Sequence, residues 1–560
     1  MRTALVSMLL VFAWVLPVPS AAAAVVSSDR GLAGYAARLL EGVYPDANAP
    51  GAAVLVARGD EVVFRDARGM ANVELGVPLS ADHVFRLASV TKQLAAAGVL
   101  KLAEEGRLSL DDPLSKFLPD YPGGDAVSVR MLLDHTSGIR SYTSIPGVME
   151  GPIRRDLDTA ALIDIFKDEK PDFAPGEQWR YNNSGYVLVG AVIEEASGQP
   201  WYEYLEQALF EPLGMADTGY GDQSQALIPG HVTGYTRGGD GAVRARFLSM
   251  TQPHAAGALV STVDDMLRWN RGLHEGGLLQ PASHAAMVEL AGKAGESGYG
   301  FGIVVGELRG QALYEHGGGI FGFSTHLLYL PDSGLTVVVL QNTDAGTAGS
   351  RPGETARRLA AYALGEPYPE EVAADVPPES LRSAQGVYRI DEEAVRVLRV
   401  VDGKLTSKRT GGPAFDLVPI AEDDYLYKDS FTRMRIERDG AGNAAAMLFQ
   451  SEGDGEWERV ARSDEPMPAA RARIDLPQAA REQIVGDYVG PGGMSMRVFL
   501  EDERIMIQLT GQPAVEVFAE SPRVFYPTVV EATLEFGPEE GRARTLILRQ
   551  GGAMIPFARE

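Results

Sequence analysis

Residues 86–93 read RLASVTKQ, a Ser-x-x-Lys pattern at the head of a run of strong helix formers. The run TKQLAAAGVLKLAEE covers residues 91–105, and Gly106 after it is a natural helix C-cap. The pattern predicts Ser89 at a helix N-terminus with Lys92 one turn later on the same face. At that place free N–H groups favour an oxyanion, and a desolvated lysine amine can act as a base toward Ser89. A capping serine beside a surface lysine is the alternative interpretation.

The length and charge of the chain narrow the classes of protein to which it can belong. Its 560 residues are too many for one hydrophobic core, so we expect two or three domains. A net charge of −25 argues against a nucleic-acid partner. The absence of cysteine from the sequence excludes thiol catalysis and cysteine–zinc sites. The histidines show no metal-binding spacing, so we expect neither a metal nor a cofactor.

Residues 1–24 are typical of a secretory signal. Arg2 precedes an apolar run from Ala4 to Val18, and Ala22-Ala23-Ala24 offers a cleavage site. The run is short for a membrane span, and an uncleaved anchor is the alternative interpretation. We therefore expect an exported protein, periplasmic or extracellular, without stable membrane insertion.

The pattern of residues 25–365 indicates one mixed α/β domain. Gly51–Arg58 and Glu61–Arg68 alternate like the two strands of a hairpin that turns at Gly59-Asp60. Three strand-like runs lie near the other end of this region and helices lie between, so we expect both ends to share a sheet. The three runs are Tyr299–Glu307, Thr325–Leu330 and Leu335–Gln341, and the predicted helices are Leu32–Val43, residues 91–105, Tyr186–Ala196, Trp201–Leu213, Ser261–Glu275 and Glu354–Leu364.

Beyond Gly365 the chain repeats itself with a period of about one hundred residues. Gly386-Val387-Tyr388 corresponds to Gly486-Asp487-Tyr488, and each copy holds short strand-like runs broken by Gly and Asp. This composition predicts two small antiparallel β-barrels or sandwiches. The predicted order is a signal peptide (1–24), the α/β domain (25–365), a linker (366–380), the first barrel (381–463), a second linker (464–477) and the second barrel (478–560).

Two further patterns follow Ser89 and Lys92 along the chain. Tyr181-Asn182-Asn183 comes about ninety residues later, and His316-Gly317-Gly318 precedes another glycine and a strand. Taken alone, Tyr181 is equally a packed aromatic, Asn183 a turn former and His316 a histidine that caps a glycine turn at a strand end. The order of the three patterns is the informative feature.

That order resembles the serine β-lactamase and penicillin-binding-protein superfamily, in its class C-like branch of secreted serine hydrolases. The flanking words match as well, since residues 133–138 look like that family's LLxHTSG and residues 256–262 like its GGLxST. The resemblance covers roughly residues 30–364 and implies a β-lactamase-like catalytic domain ahead of the two barrels. The chain is thus expected to be multidomain, a mixed α/β domain followed by two small antiparallel barrels.

The resemblance implies a role for each residue of the three patterns. Ser89 would be the nucleophile, and Lys92 would be the cation that allows Tyr181 to act as a phenolate base. Asn183 would bind Lys92 and the amide of the substrate. The backbone N–H groups of Ser89 and Gly319 would form the oxyanion hole.

The third pattern departs from that of the lactamases, which carry Lys-Thr-Gly and pair the lysine with a substrate carboxylate. His316 is mostly neutral at pH 7, so a fixed cation is missing. With this His-x-Gly version of the pattern and two C-terminal barrels, the chain resembles D-stereospecific aminopeptidases and related esterases. The resemblance makes His316, Gly318 and Gly319 candidate substrate-binding residues.

The predicted function is therefore that of a serine hydrolase acting through an acyl-enzyme on small amides, D-amino-acid peptides or esters. A β-lactamase or D-Ala-D-Ala carboxypeptidase is one alternative, and a non-catalytic ligand-binding or sensor protein is another. We expect a small-molecule or short-peptide substrate. Neither barrel carries a nucleophile–base pair, so we expect the barrels to limit access to the site and to perform no chemistry.

Overall fold

The computed structural model describes residues 21–222, 227–239, 241–345, 351–469, 471–510, 512 and 514–560, with side chains from Asp29 onward. The chain divides into two units, Met1–Tyr368 and Pro369–Glu560. Most of the predicted signal segment, residues 1–24, lies outside the described residues. Within the described ranges no helix is both long enough and apolar enough to cross a membrane.

A six-stranded antiparallel sheet joins the two ends of the first unit, in the order β10-β11-β12-β13-β1-β2. The strands of this unit are β1 (Ala52–Arg58), β2 (Glu61–Arg68), β3 (Met70–Asn72), β4 (Val77–Pro78), β5 (Phe85–Arg86), β6 (Gly219–Tyr220), β7 (Tyr235–Gly238), β8 (Gly241–Arg244), β9 (Leu259–Ser261), β10 (Val304–Leu308), β11 (Gln311–Ile320), β12 (Phe323–Leu330) and β13 (Leu335–Gln341). β1 pairs with β13 from Ala52–Gln341 to Arg58–Leu335. The predicted hairpin and the shared sheet are both confirmed.

Helices cover the sheet and fill the middle of this unit. They are α1 (Ala21–Val43), α2 (Thr91–Glu104), α3 (Val129–Leu133), α4 (Thr159–Ile163), α5 (Asn183–Ser197), α6 (Trp201–Leu205), α7 (Glu211–Leu213), α8 (Val263–His274), α9 (Pro281–Val288), α10 (Gly292–Glu296) and α11 (Pro352–Ala363). β13 is buried along its whole length, as expected for a central strand with helices packed on both faces. α11 and α8 both contact it, and α2 packs against α5.

Two of the predicted helices differ from the observed ones by more than a shift of one to three residues at an end. The first helix begins at Ala21 instead of Leu32. The predicted helix Trp201–Leu213 is interrupted by a π-helical turn over Glu206–Phe210. Pro212 explains why regular α-helical bonding is not continued there, because it has no N–H to donate to a carbonyl one turn earlier.

The strand prediction was wrong around the third pattern. The sequence predicts a strand over Tyr299–Glu307, but β10 begins only at Val304, because Gly298 and Gly302 adopt left-handed φ values of 68°. The ten-residue strand β11, which carries His316, is not among the predicted runs. Its Gly317–Gly319 segment has a low intrinsic preference for strands. The strand forms because β12 pairs with it continuously from Tyr314–Tyr329 to Ile320–Phe323.

Two closed eight-stranded antiparallel barrels make up the second unit, which confirms the prediction of two barrels. The first has strands β14 (Gly386–Arg389), β15 (Val395–Val401), β16 (Lys404–Arg409), β17 (Ala414–Ala421), β18 (Asp424–Tyr427), β19 (Arg433–Arg438), β20 (Ala444–Gln450) and β21 (Glu458–Ser463). The second has β22 (Gly486–Val489), β23 (Ser495–Glu501), β24 (Arg504–Leu509), β25 (Val515–Ala519), β26 (Val524–Pro527), β27 (Ala532–Gly537), β28 (Thr545–Gln550) and β29 (Ala553–Arg559).

The sequence repeat is visible in how each barrel begins. Helices α12 (Pro378–Ser383) and α13 (Gln478–Ile484) precede the first strands. A buried tyrosine of that strand donates to a carbonyl four residues earlier, Tyr388 to Ala384 and Tyr488 to Ile484, both at 2.7 Å. The same helix–strand junction therefore begins each barrel.

Candidate active site

Ser89 lies where the sequence predicts it, at the N-terminal end of α2. It sits in a 3-10 turn that leads directly into the helix, and it is half-exposed while the residues on either side are buried. Ala88 before it has a φ of 49°, a left-handed conformation that costs roughly 1–2 kcal/mol for a residue with a Cβ. Leu87 fixes this turn, since its N–H donates to Leu259 O at 2.9 Å and its carbonyl accepts from Thr325 Oγ1 at 2.8 Å.

Lys92 is fully buried one turn along α2 and reaches back to Ser89. Its Nζ lies 3.3 Å from Ser89 Oγ, 2.9 Å from Asn183 Oδ1 and 2.8 Å from the Ala256 carbonyl oxygen. Burial lowers the pKa of Lys92 well below its usual 10.5. The Asn183 and Ala256 oxygens can only accept hydrogen bonds, and a neutral amine has one hydrogen for each of them. Its lone pair is then left to accept the proton of the Ser89 hydroxyl.

Tyr181 completes a group of three around the serine hydroxyl. The Ser89 side chain acts to lower the pKa of Tyr181, and the centroid of the tyrosine ring lies 4.7 Å from Lys92 Nζ. Burial raises the pKa of Tyr181 above its usual 10, which opposes the phenolate form. Burial therefore favours a neutral amine beside a neutral phenol and works against the lysine cation and phenolate that the resemblance implies.

The two asparagines after Tyr181 make different contacts. Asn182 is the N-cap of α5, and its Oδ1 accepts from Gly185 N at 2.9 Å. Asn183 is the first residue of the helix and presents its Oδ1 to Lys92, while its Nδ2 donates to Thr143 Oγ1 at 3.3 Å. The predicted contact between Asn183 and Lys92 is thus present.

Strand β11 passes directly beside the serine turn. A Cβ at Gly318 would lie 2.3 Å from the Leu87 carbonyl oxygen and from Thr325 Oγ1, so only glycine allows this approach. Gly319 is exposed, with no atom within 4 Å of where its Cβ would be. Among the described residues β10 pairs with β11 only as far as Glu315, so the Gly317–Ile320 edge is not paired by that strand. Gly318 therefore allows the short distance between β11 and the serine turn, and Gly319 faces open space.

His316 lies inside β11 and both of its ring nitrogens are occupied. Nδ1 is 2.6 Å from the Gly317 carbonyl oxygen, and Nε2 is 2.9 Å from the Tyr299 hydroxyl. A carbonyl can only accept, so Nδ1 carries the hydrogen and Nε2 accepts from Tyr299. Burial lowers the pKa of His316 to about 3. The imidazole is neutral, as the sequence analysis expects, but it is held by Tyr299.

Sequence reasoning missed Tyr299 and underestimated His135. Tyr299 was assigned to a strand, and the signal that could have found it is its place in a glycine-rich run (Gly298, Gly300, Gly302). His135, which the sequence analysis gives no role of its own, accepts from Asn182 N at 3.2 Å through Nδ1. Its ring also lies 4.5 Å from that of Tyr181 and 4.7 Å from that of Tyr299, centroid to centroid. His135 thus links the two tyrosines.

A charged cluster occupies the other face of β11. Glu315 bonds His326 Nε2 at 2.9 Å and also pairs with Arg357. Burial alone would raise the pKa of Glu315, but these two partners lower it to about 2. Successive residues of a strand point to opposite faces, so this carboxylate is directed away from His316. In the part of the chain that is described, no set of three or more acidic or histidine side chains is placed to bind a metal ion.

Comparison with known proteins gives the class. Residues 32–362 match the Beta-lactamase family, so the chain belongs to that family. It is 31% identical over 360 residues to the esterase EstB of Burkholderia gladioli, covering 56% of this chain and 91% of that one. It is 26% identical over 459 residues to a D-aminopeptidase of Brucella anthropi, covering 78% of each.

Solved structures agree with the sequence relatives. The D-stereospecific amidohydrolase from Streptomyces sp. superposes with a TM-score of 0.50 at 29% identity, over 57% of this chain and 96% of that one. The relatives are serine hydrolases, and the chain is a β-lactamase-related serine hydrolase with two C-terminal barrels.

Proposed function

We propose that this hydrolase works through an acyl-enzyme on Ser89, with Lys92 as the base. One observation carries the proposal: the nucleophile's Oγ lies 3.3 Å from the Nζ of a fully buried lysine whose pKa is lowered. Burial shifts this lysine toward its neutral form, and a neutral amine can take the proton of the serine hydroxyl.

The groups of the site support a complete proton path. Ser89 Oγ attacks the substrate carbonyl carbon while its proton passes to Lys92 Nζ. The N–H groups of Ser89 and Gly319 stabilise the oxyanion of the tetrahedral intermediate. The C–N or C–O bond then breaks, and the leaving group receives the proton through the Tyr181 hydroxyl. A water molecule then attacks the carbonyl carbon of the acyl-enzyme and gives its proton to the same Lys92–Tyr181 pair. The bond to Ser89 Oγ breaks, and the oxygen takes the proton back. This step regenerates Ser89 and neutral Lys92.

For substrates we propose small amides, D-amino-acid peptides or esters. His316 is neutral and hydrogen-bonded on both nitrogens, so the β11 side of the site offers no fixed cation to a carboxylate. The esterase and the D-aminopeptidase among the relatives favour the same classes. We propose that Asn183, which binds Lys92 through Oδ1, also orients the amide of the substrate.

We further propose that the enzyme acts outside the cytoplasm. The proposal rests on the signal-like segment, residues 1–24, whose apolar run ends in Ala22-Ala23-Ala24. N-terminal sequencing of the protein recovered from a periplasmic or culture fraction of a bacterial host tests it. A mature chain that begins after Ala24 is the expected result, and retention of Met1 in the cytosol contradicts the proposal.

A substrate panel tests the proposed activity. D-amino-acid amides, short acyl esters and a chromogenic cephalosporin are assayed with the wild type, with Ser89→Ala and with Ser197→Ala. Ser197 is a matched control, because it lies at the end of α5 away from Asn183 and, among the described residues, its hydroxyl bonds the backbone of Gln199, two residues later.

We expect turnover of amides or esters that Ser89→Ala abolishes and Ser197→Ala preserves. A cephalosporin as the best substrate would favour the β-lactamase alternative. A wild type that turns over nothing and does not react with a fluorophosphonate would favour the non-catalytic alternative. Either outcome would contradict the proposal.

A further inference from the structure

Tyr299 occupies a position from which it controls what His316 can do. It is only 3% exposed, and its hydroxyl lies 2.9 Å from His316 Nε2. The loop that carries it is pressed against the nucleophile helix, since a Cβ at Gly302 would lie 2.6 Å from the Lys92 carbonyl carbon. Neither the sequence patterns nor the catalytic proposal uses this tyrosine.

Tyr299 is also bonded into the aromatic wall of the site. Its backbone N–H donates to Ala294 O at 3.0 Å, so the main chain is anchored as well as the ring. Its ring lies 4.7 Å from that of His135 and meets that of Tyr181 edge to face at 6.2 Å. The hydroxyl is thereby aimed at His316 by contacts on several sides.

We propose that Tyr299 is a specificity-determining positioning residue, which by donating to His316 Nε2 makes the site discriminate against substrates that place a carboxylate against strand β11. The inference rests on the proposed acyl-enzyme function and goes beyond it by assigning the preference to a residue that does not touch the reacting atoms.

His316 has only two ring nitrogens with which it could bind a carboxylate. Nδ1–H is already given to the Gly317 carbonyl oxygen at 2.6 Å. A carboxylate could therefore be bound only at Nε2, and only if that atom carried a proton. Tyr299 fills Nε2 with a donor, so a carboxylate must displace the tyrosine and bring a proton with it. A neutral substrate meets neither cost.

The other titratable groups around His316 do not supply the missing charge. Lys92 is fully buried with its pKa lowered, and burial raises the pKa values of Tyr181 and Tyr299. His135 is buried, and its pKa is lowered mainly by desolvation. Glu315 is paired with His326 and Arg357 on the opposite face of the strand. The state of Nε2 is thus decided by Tyr299.

The test compares wild type and Tyr299→Phe on two peptides that differ in one group, N-acetyl-D-Ala-D-Ala and its C-terminal amide. Each is measured between pH 6 and 8 for its ability to protect Ser89 from a fluorophosphonate, which reports binding whether or not the peptide is turned over. The readout is the affinity for the peptide acid divided by the affinity for the peptide amide, the acid-to-amide ratio. In Tyr299→Phe we expect this ratio to rise about tenfold or more at pH 6, the scale of one charge-assisted hydrogen bond. The gain should shrink toward pH 8, because uptake of one proton changes affinity by at most about tenfold per pH unit. The wild-type ratio should stay flat.

Two further variants separate positioning from a general structural effect. Tyr329→Phe removes another buried hydroxyl, one that donates to Glu275 at 2.7 Å from strand β12, and should leave the ratio unchanged. Tyr299→Phe combined with His316→Gln removes the proton acceptor, and the pH-dependent gain should disappear. A gain that survives this double change would overturn the proposal.

A spectroscopic readout covers the case in which neither peptide binds measurably. In ¹⁵N-histidine spectra, Tyr299→Phe should shift the Nε2 resonance of His316 and leave that of Nδ1 in place. An unchanged Nε2 resonance, or an acid-to-amide ratio equal to that of wild type at every pH, would overturn the proposal. Phosphonate labelling of Ser89 in Tyr299→Phe shows that the catalytic groups are intact, whereas an unlabelled wild type would count against the proposed function itself.

Discussion

Replacing Lys92 by methionine should change how the stability of the protein depends on pH. Lys92 is fully buried with no carboxylate among its three hydrogen-bond partners, and burial lowers its pKa well below 10.5. In the unfolded chain the same amine is solvated and keeps its ordinary pKa. Between the folded and the unfolded pKa values the unfolded state therefore binds one proton more than the native state.

The sign and size of the effect follow from that one proton. The free energy of unfolding increases with pH wherever the unfolded state binds more protons. In the window between the lowered folded pKa and 10.5, Lys92 should make wild-type stability rise by about 1.4 kcal/mol per pH unit relative to Lys92→Met, which has no proton to bind there. The offset between the two proteins also includes the lost hydrogen bonds, but their difference in slope does not.

The assay is urea unfolding of both proteins at pH 7, 8 and 9, followed by tryptophan fluorescence. Trp201 and Trp269 are fully buried in the first unit and report its unfolding. Lys101→Met is a matched control on the same helix, because Lys101 is partly exposed and bonds Glu104 at 3.1 Å. Its stability should run parallel to that of wild type. Parallel curves for Lys92→Met as well would mean that the lysine is charged in the folded protein, and the assignment of Lys92 as the base would be refuted.

The remaining predictions concern activity. Lys92→Ala and Tyr181→Phe should each lower kcat by several orders of magnitude, and the double variant scarcely further, because members of one proton path are not additive; losses that multiply in steady-state assays would indicate independent roles. His316→Lys should improve kcat/KM for penicillins and D-Ala-D-Ala peptides relative to neutral substrates by about tenfold or more, and an unchanged ratio would show that residue 316 does not face the carboxylate. A chain ending at Gly365, if it folds, should accept larger acyl groups while Ser89 still reacts with a small phosphonate; an unchanged substrate profile would refute the expectation that the barrels limit access.

Much of the site could be predicted because it is encoded locally. Ser89 and Lys92 are three residues apart on one helix, so their contact follows from helix geometry once the helix is recognised. The same holds for the hairpin of β1 and β2, whose alternating pattern and short turn define the pairing. The barrels were predictable for a different reason, since the repeat fixes two similar units of short strands.

The features that sequence reasoning missed depend on contacts between distant segments. Strand β11 contains three consecutive glycines. Its extended form depends on pairing with β12 and on the close approach of Gly318 to Leu87. The hydrogen bond from Tyr299 to His316 joins a loop to a strand seventeen residues later, and the sequence spacing of these two residues does not predict it. The pKa of Tyr181 depends on burial, which a motif does not reveal, and burial works against the expected phenolate.

Covalent trapping tests the central claim most directly. The full-length protein is treated with a fluorophosphonate, and the site of the adduct is located by peptide mass spectrometry. The account predicts one adduct, on Ser89, that is absent in Ser89→Ala and is formed more slowly as the pH falls and Lys92 takes up a proton. An adduct on another residue, or labelling of Ser89→Ala at the wild-type rate, would contradict the assignment of Ser89 as the nucleophile.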